Sequence, residues 1–98
     1  MADGIYRRSG HPAGFITGQA IHDLSGRPIG QLRDTHVYSL SGHYIGELYD
    51  GMVVNKNMSL GTIGPSGVAH AGAHEFGSRG PSGCPFPDVF DKLVAPHA

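Results

Sequence analysis

The stretches AIHDLSGRPIGQL (residues 20–32) and HVYSLSGHYIGEL (residues 36–48) are two copies of one unit, and their spacing of 16 residues decides the fold. Four such units fill residues 4–64. The positions that carry the period are Ile5, Ile21, Val37 and Val53; Gly10, Gly26 and Gly42; and Gly14, Gly30 and Gly46. A fixed period of this kind is typical of arrays in which every repeat is one supersecondary unit. The repeat therefore predicts the fold of the protein more directly than its function.

Each unit is predicted to form a β-hairpin. Residues 23–26 and 39–42 place Asp or Ser at the start of a type I turn and Gly where a left-handed residue is required. This register pairs Ile21 with Ile29, and a bulge at Gly30 returns Leu32 to the same face. The equivalent predicted pairs are Ile5 with Ala13, Val37 with Ile45, and Val53 with Leu60.

The hairpins are predicted to join at Gly18-Gln19, Asp34-Thr35 and Asp50-Gly51. The result is an all-β fold of four tandem β-hairpins, running up and down as eight strands in a pseudo-four-fold shallow barrel. Its predicted inner face comprises Ile5, Ile16, Ile21, Ile29, Leu32, Val37, Ile45, Leu48, Val53, Leu60 and Ile63. Unit four is expected to be irregular, because Met58 replaces the turn glycine and one residue is missing before Gly61.

The C-terminal third has the same Gly-rich composition without an evident period. We predict three regions: a hairpin domain (1–64), a loop-rich Gly/Pro/His arm (65–87), and a short helix with a tail (88–98). Asp88 is expected to cap the helix. Its apolar stripe comprises Val89, Phe90, Leu93 and Val94. So short a helix must dock to be stable, either in the mouth of its own barrel or on a neighbouring subunit.

Composition narrows the class of protein. The chain has 98 residues, 39% of them apolar, and no Trp, so we expect one small domain whose limited core favours a homo-oligomer. The net charge of −1 is spread along the chain, which argues against binding to duplex nucleic acid or insertion into a membrane. A single cysteine, Cys84, excludes an internal disulfide, and the expected location is the cytoplasm.

The tandem pattern of a β-branched residue, Asp or Ser, Ser-Gly and Ile-Gly-x-Leu in residues 20–32 and 36–48 resembles the four-fold beta-flower family of small bacterial and phage-associated proteins. The resemblance covers about residues 4–64. It implies four hairpins around a pseudo-four-fold axis, similar to the tubby C-terminal barrel without its threaded helix. It implies no settled activity and no catalytic residues.

Pseudo-symmetry turns equivalent residues into rings, which are the candidate ligand sites. The first ring comprises Tyr6, His22, Tyr38 and Val54, with Pro12, Pro28 and Tyr44 across the hairpins. The second ring, near the turns, comprises His11, Arg27 and His43 with Ser59. Aromatic faces beside cationic tips suit a flat or anionic ligand such as a nucleotide. The predicted ligand-binding residues are Tyr6, His11, His22, Arg27, Tyr38, His43 and Tyr44. The alternative is that these residues simply populate an exposed β face.

A metal site is the weaker alternative. His70 and His74 are four residues apart, and Glu75 or Cys84 would complete a zinc set. The Gly-rich surroundings favour incidental loop histidines, so no metal or cofactor is predicted. Catalysis is not predicted either. Cys84 lacks a neighbouring cation that would activate it, and the aspartates occupy turn positions.

The leading interpretation is a non-catalytic protein that binds a small molecule. The phage-associated side of the resemblance gives it a specific form, in which an oligomer sequesters a nucleotide immune signal at intersubunit pockets. The alternative is a structural or protein-interaction scaffold that recruits a partner through its C-terminal arm. The sequence leaves both open.

Overall fold

The computed structural model describes residues 3–58, 60–65, 67, 71–73, 75–81, 83 and 85–94. In this part of the chain, seven antiparallel strands form one sheet in chain order. They are β1 (Asp3–Tyr6), β2 (Pro12–Thr17), β3 (Ala20–Asp23), β4 (Pro28–Arg33), β5 (His36–Ser39), β6 (Tyr44–Tyr49) and β7 (Met52–Val54). A single helical turn, α1 (Asp91–Val94), follows near the C-terminus.

The sheet curls until its first and last strands meet. The amide of Tyr6 in β1 donates a hydrogen bond of 2.7 Å to the carbonyl of Gly51, just before β7. This contact nearly closes the sheet into a shallow barrel. The predicted all-β fold class is therefore confirmed.

The predicted bulges are present, one residue away from where the sequence places them. Ile21 pairs with Gly30 rather than Ile29, and the register then shifts so that His22 pairs with Pro28. Ile29 is thus the extra residue of the bulge, and its side chain is buried. Units one and three repeat this arrangement, with Ile5 opposite Gly14 and Val37 opposite Gly46.

The turns follow the sequence closely. We call the turns at residues 7–11, 23–27 and 39–43 the hairpin tips, and all three lie at one end of the barrel because the strands run up and down. Gly26 adopts a φ of 94° at its tip, as the type I turn with a bulge requires. At the opposite end, Asp34 and Asp50 adopt the left-handed conformation in the predicted connections.

Unit four supplies one strand, so its predicted irregularity is confirmed and the predicted pairing of Val53 with Leu60 is wrong. Asn57 and Gly61 both adopt positive φ values, and the chain turns away from the barrel. Leu60 is consequently 39% exposed instead of lying in the core. Thr62 forms an isolated bridge with His43 at the tip of unit three.

From this point the described residues between 60 and 81, which we call the strap, run backwards around the barrel. It forms three backbone hydrogen bonds of 2.8 Å with the tips, from the amides of Ile63, Ala71 and Arg79 to the carbonyls of Gly42, Gly26 and Gly10. The three donors are eight residues apart. The expectation of no period after residue 64 was therefore wrong: the strap advances one unit every eight residues, in the direction opposite to the hairpins.

One further step of eight residues leads to Pro87 and to the last part of the fold, the closing segment (residues 86–94). Its backbone pairs with the free edge of β7, where an eighth strand would lie. The amide of Asn55 donates to the carbonyl of Pro87, and the amide of Val89 donates to the carbonyl of Val53, both at 2.9 Å. The segment thus crosses the sheet at the seam between β7 and β1.

The closing segment fills the barrel with apolar side chains. Val89, Phe90 and Leu93 join the main core cluster. Val89 lies beside Gly46, Phe90 beside Gly14, and Leu93 beside Gly30. These three glycines occupy equivalent positions in three units, next to the bulges. Three residues of the predicted stripe, Val89, Phe90 and Leu93, therefore dock in the chain's own barrel, and the side chain of Val94 lies outside the described part. Asp91 and Lys92 of the helical turn remain exposed.

The core contains the β-branched residue that recurs every 16 residues, together with apolar residues of the return strands. Its buried members from the strands are Ile5, Ile16, Ile21, Ile29, Val37 and Val53, with Leu32, Ile45 and Leu48 packed at its margin. Across the described residues, no helix has the length and hydropathy that crossing a membrane requires.

Candidate functional site

The first predicted ring lies on the outer face of the sheet, and the C-terminal part of the chain covers it. His22 and Tyr38 are only 1% and 5% exposed. Tyr6 is half-buried beneath Arg79, whose guanidinium carbon lies 4.4 Å from the centre of the tyrosine ring. Val54 is buried and packs with Phe86. The strap and the closing segment thus shield the positions that the sequence offered as aromatic surfaces.

His22 occupies the most enclosed of these positions. Its ring stacks on Phe15 with centroids 5.1 Å apart, and Phe76 of the strap packs on Phe15 in turn. Nδ1 is 3.4 Å from the hydroxyl of Thr17, at the limit of a hydrogen bond. Nε2 is buried and has no hydrogen-bond partner among the described residues. The imidazole is therefore enclosed chiefly by aromatic rings.

Two predicted residues do meet, in the third unit. The rings of Tyr38 and Tyr44 pack edge to face at 5.8 Å, and the Tyr44 hydroxyl donates a 2.7 Å hydrogen bond to Glu47. Tyr44 and Glu47 are three residues apart, so strict alternation would place them on opposite faces. The bulge at Ile45 brings both to the outer face, which is a common use of bulges.

Glu47 is the centre of a polar cluster that the sequence reading missed. The carboxylate is 4% exposed and accepts hydrogen bonds from Tyr44, Thr35 (3.0 Å) and His36 Nδ1 (2.7 Å). Burial favours the neutral acid, but the hydrogen bonds outweigh it and hold the pKa of Glu47 below its usual value. Burial and the nearby Glu47 raise the pKa of Tyr44. The cluster is thus a buried carboxylate held by three donors.

The pairing of β5 with β6 identifies this cluster. His36 lies directly opposite Glu47 across β5 and β6, and opposite charges or hydrogen-bonding groups pair at such positions. The equivalent residues in the other units are Gln31 and Phe15, which carry no charge. Glu47 is not shared between the units, so the repeat pattern alone does not reveal it.

The second predicted ring remains open to solvent. His11, Arg27 and His43 are exposed, and each is the last residue of its hairpin tip. Each imidazole is oriented by a serine two residues earlier, because Nδ1 of His11 and of His43 hydrogen bonds to a hydroxyl at 2.9 Å. These two serines are Ser9 and Ser41. The fourth member, Ser59, lies outside the described residues.

The tip of unit two is fixed in a different way. Asp23 Oδ1 accepts hydrogen bonds from the amide and hydroxyl of Ser25 and from the amide of Arg27. Its slight burial would raise the pKa of Asp23, but these hydrogen bonds outweigh it and leave that pKa below its usual value. The turn is rigid, and the guanidinium of Arg27 extends from it into solvent.

The seven predicted residues therefore do not form one cluster. Tyr38 and Tyr44 are in contact, and His43 precedes Tyr44 in the chain, so unit three carries three of them. The other four are distributed over units one and two by the repeat. His70, His74 and Cys84 of the zinc hypothesis lie outside the described residues. Within the described part, no three His, Cys, Asp or Glu side chains are grouped closely enough to hold a metal.

Three hairpins, a fourth strand pair completed by the closing segment, and an encircling strap define a petal-like all-β barrel. A family model described as the 4-fold beta flower protein matches residues 3–81 of the chain. The chain therefore belongs to the 4-fold beta flower family. The match extends through the strap to its last bond at Arg79 and ends before the closing segment. No curated protein and no solved structure matches the chain.

Proposed function

We propose that this protein is a non-catalytic binding protein that holds a small anionic ligand, such as a nucleotide, at the hairpin-tip end of its barrel. The observation that carries the proposal is the exposure of His11, Arg27 and His43 at equivalent positions of three successive tips. All three side chains are potential hydrogen-bond donors. They extend from rigid turns, which lowers the entropy lost when a ligand binds.

The chemistry of the tips fits a phosphate-bearing ligand. A guanidinium or an imidazolium donates charge-assisted hydrogen bonds to phosphate oxygens. Tyr44 follows His43 directly and is half-buried, with its hydroxyl held by Glu47, so its ring is a fixed platform beside a tip. A base stacked on such a ring gains about 1–3 kcal/mol. The proposed site does not include Tyr6, His22 and Tyr38, which other side chains cover.

A more specific form of the proposal is an oligomer that sequesters a nucleotide immune signal in the cytoplasm. Its support is the phage-associated side of the family resemblance and the cationic tips. In this form, ligands lie between the tips of neighbouring subunits. The proposal excludes turnover, so the ligand should be recovered chemically unchanged.

Thermal melting with added ligands tests the proposal. ATP, a cyclic dinucleotide and inorganic phosphate are added separately to the full chain. Ligand at about one hundred times its dissociation constant should stabilise the protein by about 2.7 kcal/mol. Replacing His11, Arg27 and His43 together by Ala should abolish the shift. Arg33→Ala is the matched control, because Arg33 is exposed at the opposite end of the barrel. An equal shift in the tip variant would refute the tip site.

A second proposal, a protein-interaction scaffold, draws support from exposed apolar side chains. Tyr49, Met58 and Leu60 are large apolar side chains that are 39–41% exposed. The described part of the arm is bonded to the chain's own tips, so Met58 and Leu60 are better candidates for recruitment than the arm. Replacing Met58 and Leu60 by Ser should remove a bound partner and leave any nucleotide shift unchanged.

A further inference from the structure

The closing segment occupies a slot that the seven-stranded sheet leaves open. The slot lies between β7 and β1, where the return strand of unit four is missing. Phe86 packs on the outer face against Met52 and Val54, while Val89 enters the interior. The segment therefore passes through the wall of the barrel from outside to inside.

Three independent kinds of contact hold the segment in this slot. Its backbone bonds to β7 at Val53 and Asn55. The carboxylate of Asp88 accepts hydrogen bonds from the amide of Arg8 (2.9 Å) and from Nε of Arg7 (3.0 Å), both just beyond β1. Three apolar side chains pack in the core beside the bulge glycines of units one to three. Each of these partners belongs to residues 3–58.

The segment is joined to the rest of the fold by a short connection. Arg79 is fixed by its amide bond to Gly10, by its stacking on Tyr6 and by a side-chain hydrogen bond to the carbonyl of Asp50. Among the described residues that follow, Phe86 is the next with a side-chain contact. Between them, the described residues Pro81, Gly83 and Pro85 are exposed and have no regular secondary structure.

We propose that two copies of this chain exchange their closing segments, so that residues 86–94 of each copy complete the barrel of the other. The contacts described above are the same whichever copy supplies the segment, since their partners all lie in residues 3–58. Only the backbone dihedral angles of residues 80–85 need to differ between the closed monomer and the exchanged dimer. Exchange of an identical element is a low-cost route to a symmetric dimer.

The closing segment of a second copy meets every chemical requirement of the slot. An occupant must supply a backbone edge for β7, an acid for Arg7 and Arg8, and apolar groups for the barrel interior. The sequence Phe-Pro-Asp-Val-Phe-Asp-Lys-Leu (residues 86–93) supplies all three in the required order. An empty slot would expose both a strand edge and apolar core, which favours capture of another segment.

The proposal is tested by changing the length of the connection in the full chain. Deleting residues 81–83 halves the connection and should prevent the segment from reaching its own slot, whereas inserting three Gly or Ser residues after Gly83 relaxes the connection. Native mass spectrometry from micromolar to millimolar protein should show a dimer for the deletion variant, a mostly monomeric insertion variant, and a wild-type chain whose dimer fraction rises with concentration. Identical mass distributions for the three proteins would overturn the proposal, as would a folded, monomeric deletion variant.

A second measurement distinguishes exchange from dimerisation through another surface and does not depend on the folding of the deletion variant. Isotope-labelled and unlabelled wild-type chains are unfolded together, refolded at high concentration and studied by isotope-filtered NMR. Contacts between the Leu93 methyl groups of one chain and Gly30 of the other are expected, because these groups are adjacent in the closed barrel. A dimer without such contacts, or a wild-type chain that stays monomeric up to millimolar concentration, would refute the exchange.

Discussion

Nε of Arg7 lies 3.0 Å from the carboxylate of Asp88, a residue 81 positions later in the chain, and this ion pair joins the end of β1 to the segment that closes the barrel. The same carboxylate accepts the amide of Arg8 and caps the amide of Phe90 at 2.9 Å. Arg7 also contacts the more exposed Asp91. One side chain, Asp88, therefore closes the seam and begins the helical turn.

We predict that Asp88→Ala lowers the free energy of unfolding by about 2–3 kcal/mol, because it removes a helix cap and charge-assisted hydrogen bonds from a largely buried carboxylate. Urea denaturation followed by circular dichroism measures the change. Asp91→Ala is the matched control. The side chain of Asp91 is 72% exposed, so its loss should cost less than about 1 kcal/mol. Equal effects of the two substitutions would show that Asp88 has no special role at the seam.

The acid stability of the fold should depend on Asp88 and Glu47. Burial raises both pKa values, but hydrogen bonds and cationic neighbours outweigh it, so both folded-state pKa values lie below the ordinary values of 3.8 and 4.5. Groups of this kind bind fewer protons in the folded state than in the unfolded state at acid pH. Their contribution to stability is therefore complete above the ordinary pKa values and is lost as the pH falls through the folded-state values.

The measurement for this prediction is the free energy of unfolding as a function of pH, from neutral to strongly acidic solution. The wild-type curve should fall below about pH 4.5, and the fall should be shallower in Glu47→Gln and in Asp88→Asn, which cannot titrate at these positions. Asp34→Asn, at an exposed connection, is the matched acid-to-amide control. Parallel curves for all four proteins would contradict the assignment.

Replacing His22 by Phe should stabilise the protein. The substitution keeps a flat ring against Phe15 and removes a buried Nε2 without a partner among the described residues, a situation that costs about 1–3 kcal/mol. A higher melting temperature is expected. His22→Ala should lower it instead, because the deletion leaves a cavity. A destabilised His22→Phe would mean that Nε2 has a hydrogen-bond partner in solution.

The sequence predicted what is repeated and missed what is not. Ile21 and Gly26 recur every 16 residues, so their roles in the core and the turn follow from period and turn chemistry. The strap bonds through the amides of Ile63, Ala71 and Arg79, each of which is followed by a glycine. This spacing of eight residues is present in the sequence, but no apolar or turn pattern accompanies it that would predict pairing with the hairpin tips. The apolar stripe of the closing segment was visible, but a stripe does not name the surface on which it docks.

The residues of the candidate site also fall into a group that the repeat predicts and a group that it does not. The exposed residues His11, Arg27 and His43 were found because the repeat aligns them. The burial of His22 and Tyr38 was not predictable, because the residues that cover them come from the strap and from tertiary packing. Glu47 was missed for a related reason: it is a single departure from the repeat whose partners, His36 and Tyr44, are identified only by the strand register and the bulge.

Gly26 is the tip glycine on which the strap packs at Ala71. This residue has a φ of 94°, and a Cβ there would collide with the carbonyl oxygen of Ala71. Gly26→Ala should therefore cost more than the 1–2 kcal/mol of a left-handed alanine alone, because the strap must also move. Hydrogen exchange should show reduced protection of the Ala71 amide, which donates to Gly26.

Gly72→Ala is the control. A Cβ at Gly72 meets nothing within 4 Å, so this substitution should leave both stability and exchange nearly unchanged. Normal protection of Ala71 in the Gly26 variant would show that the strap does not depend on this contact.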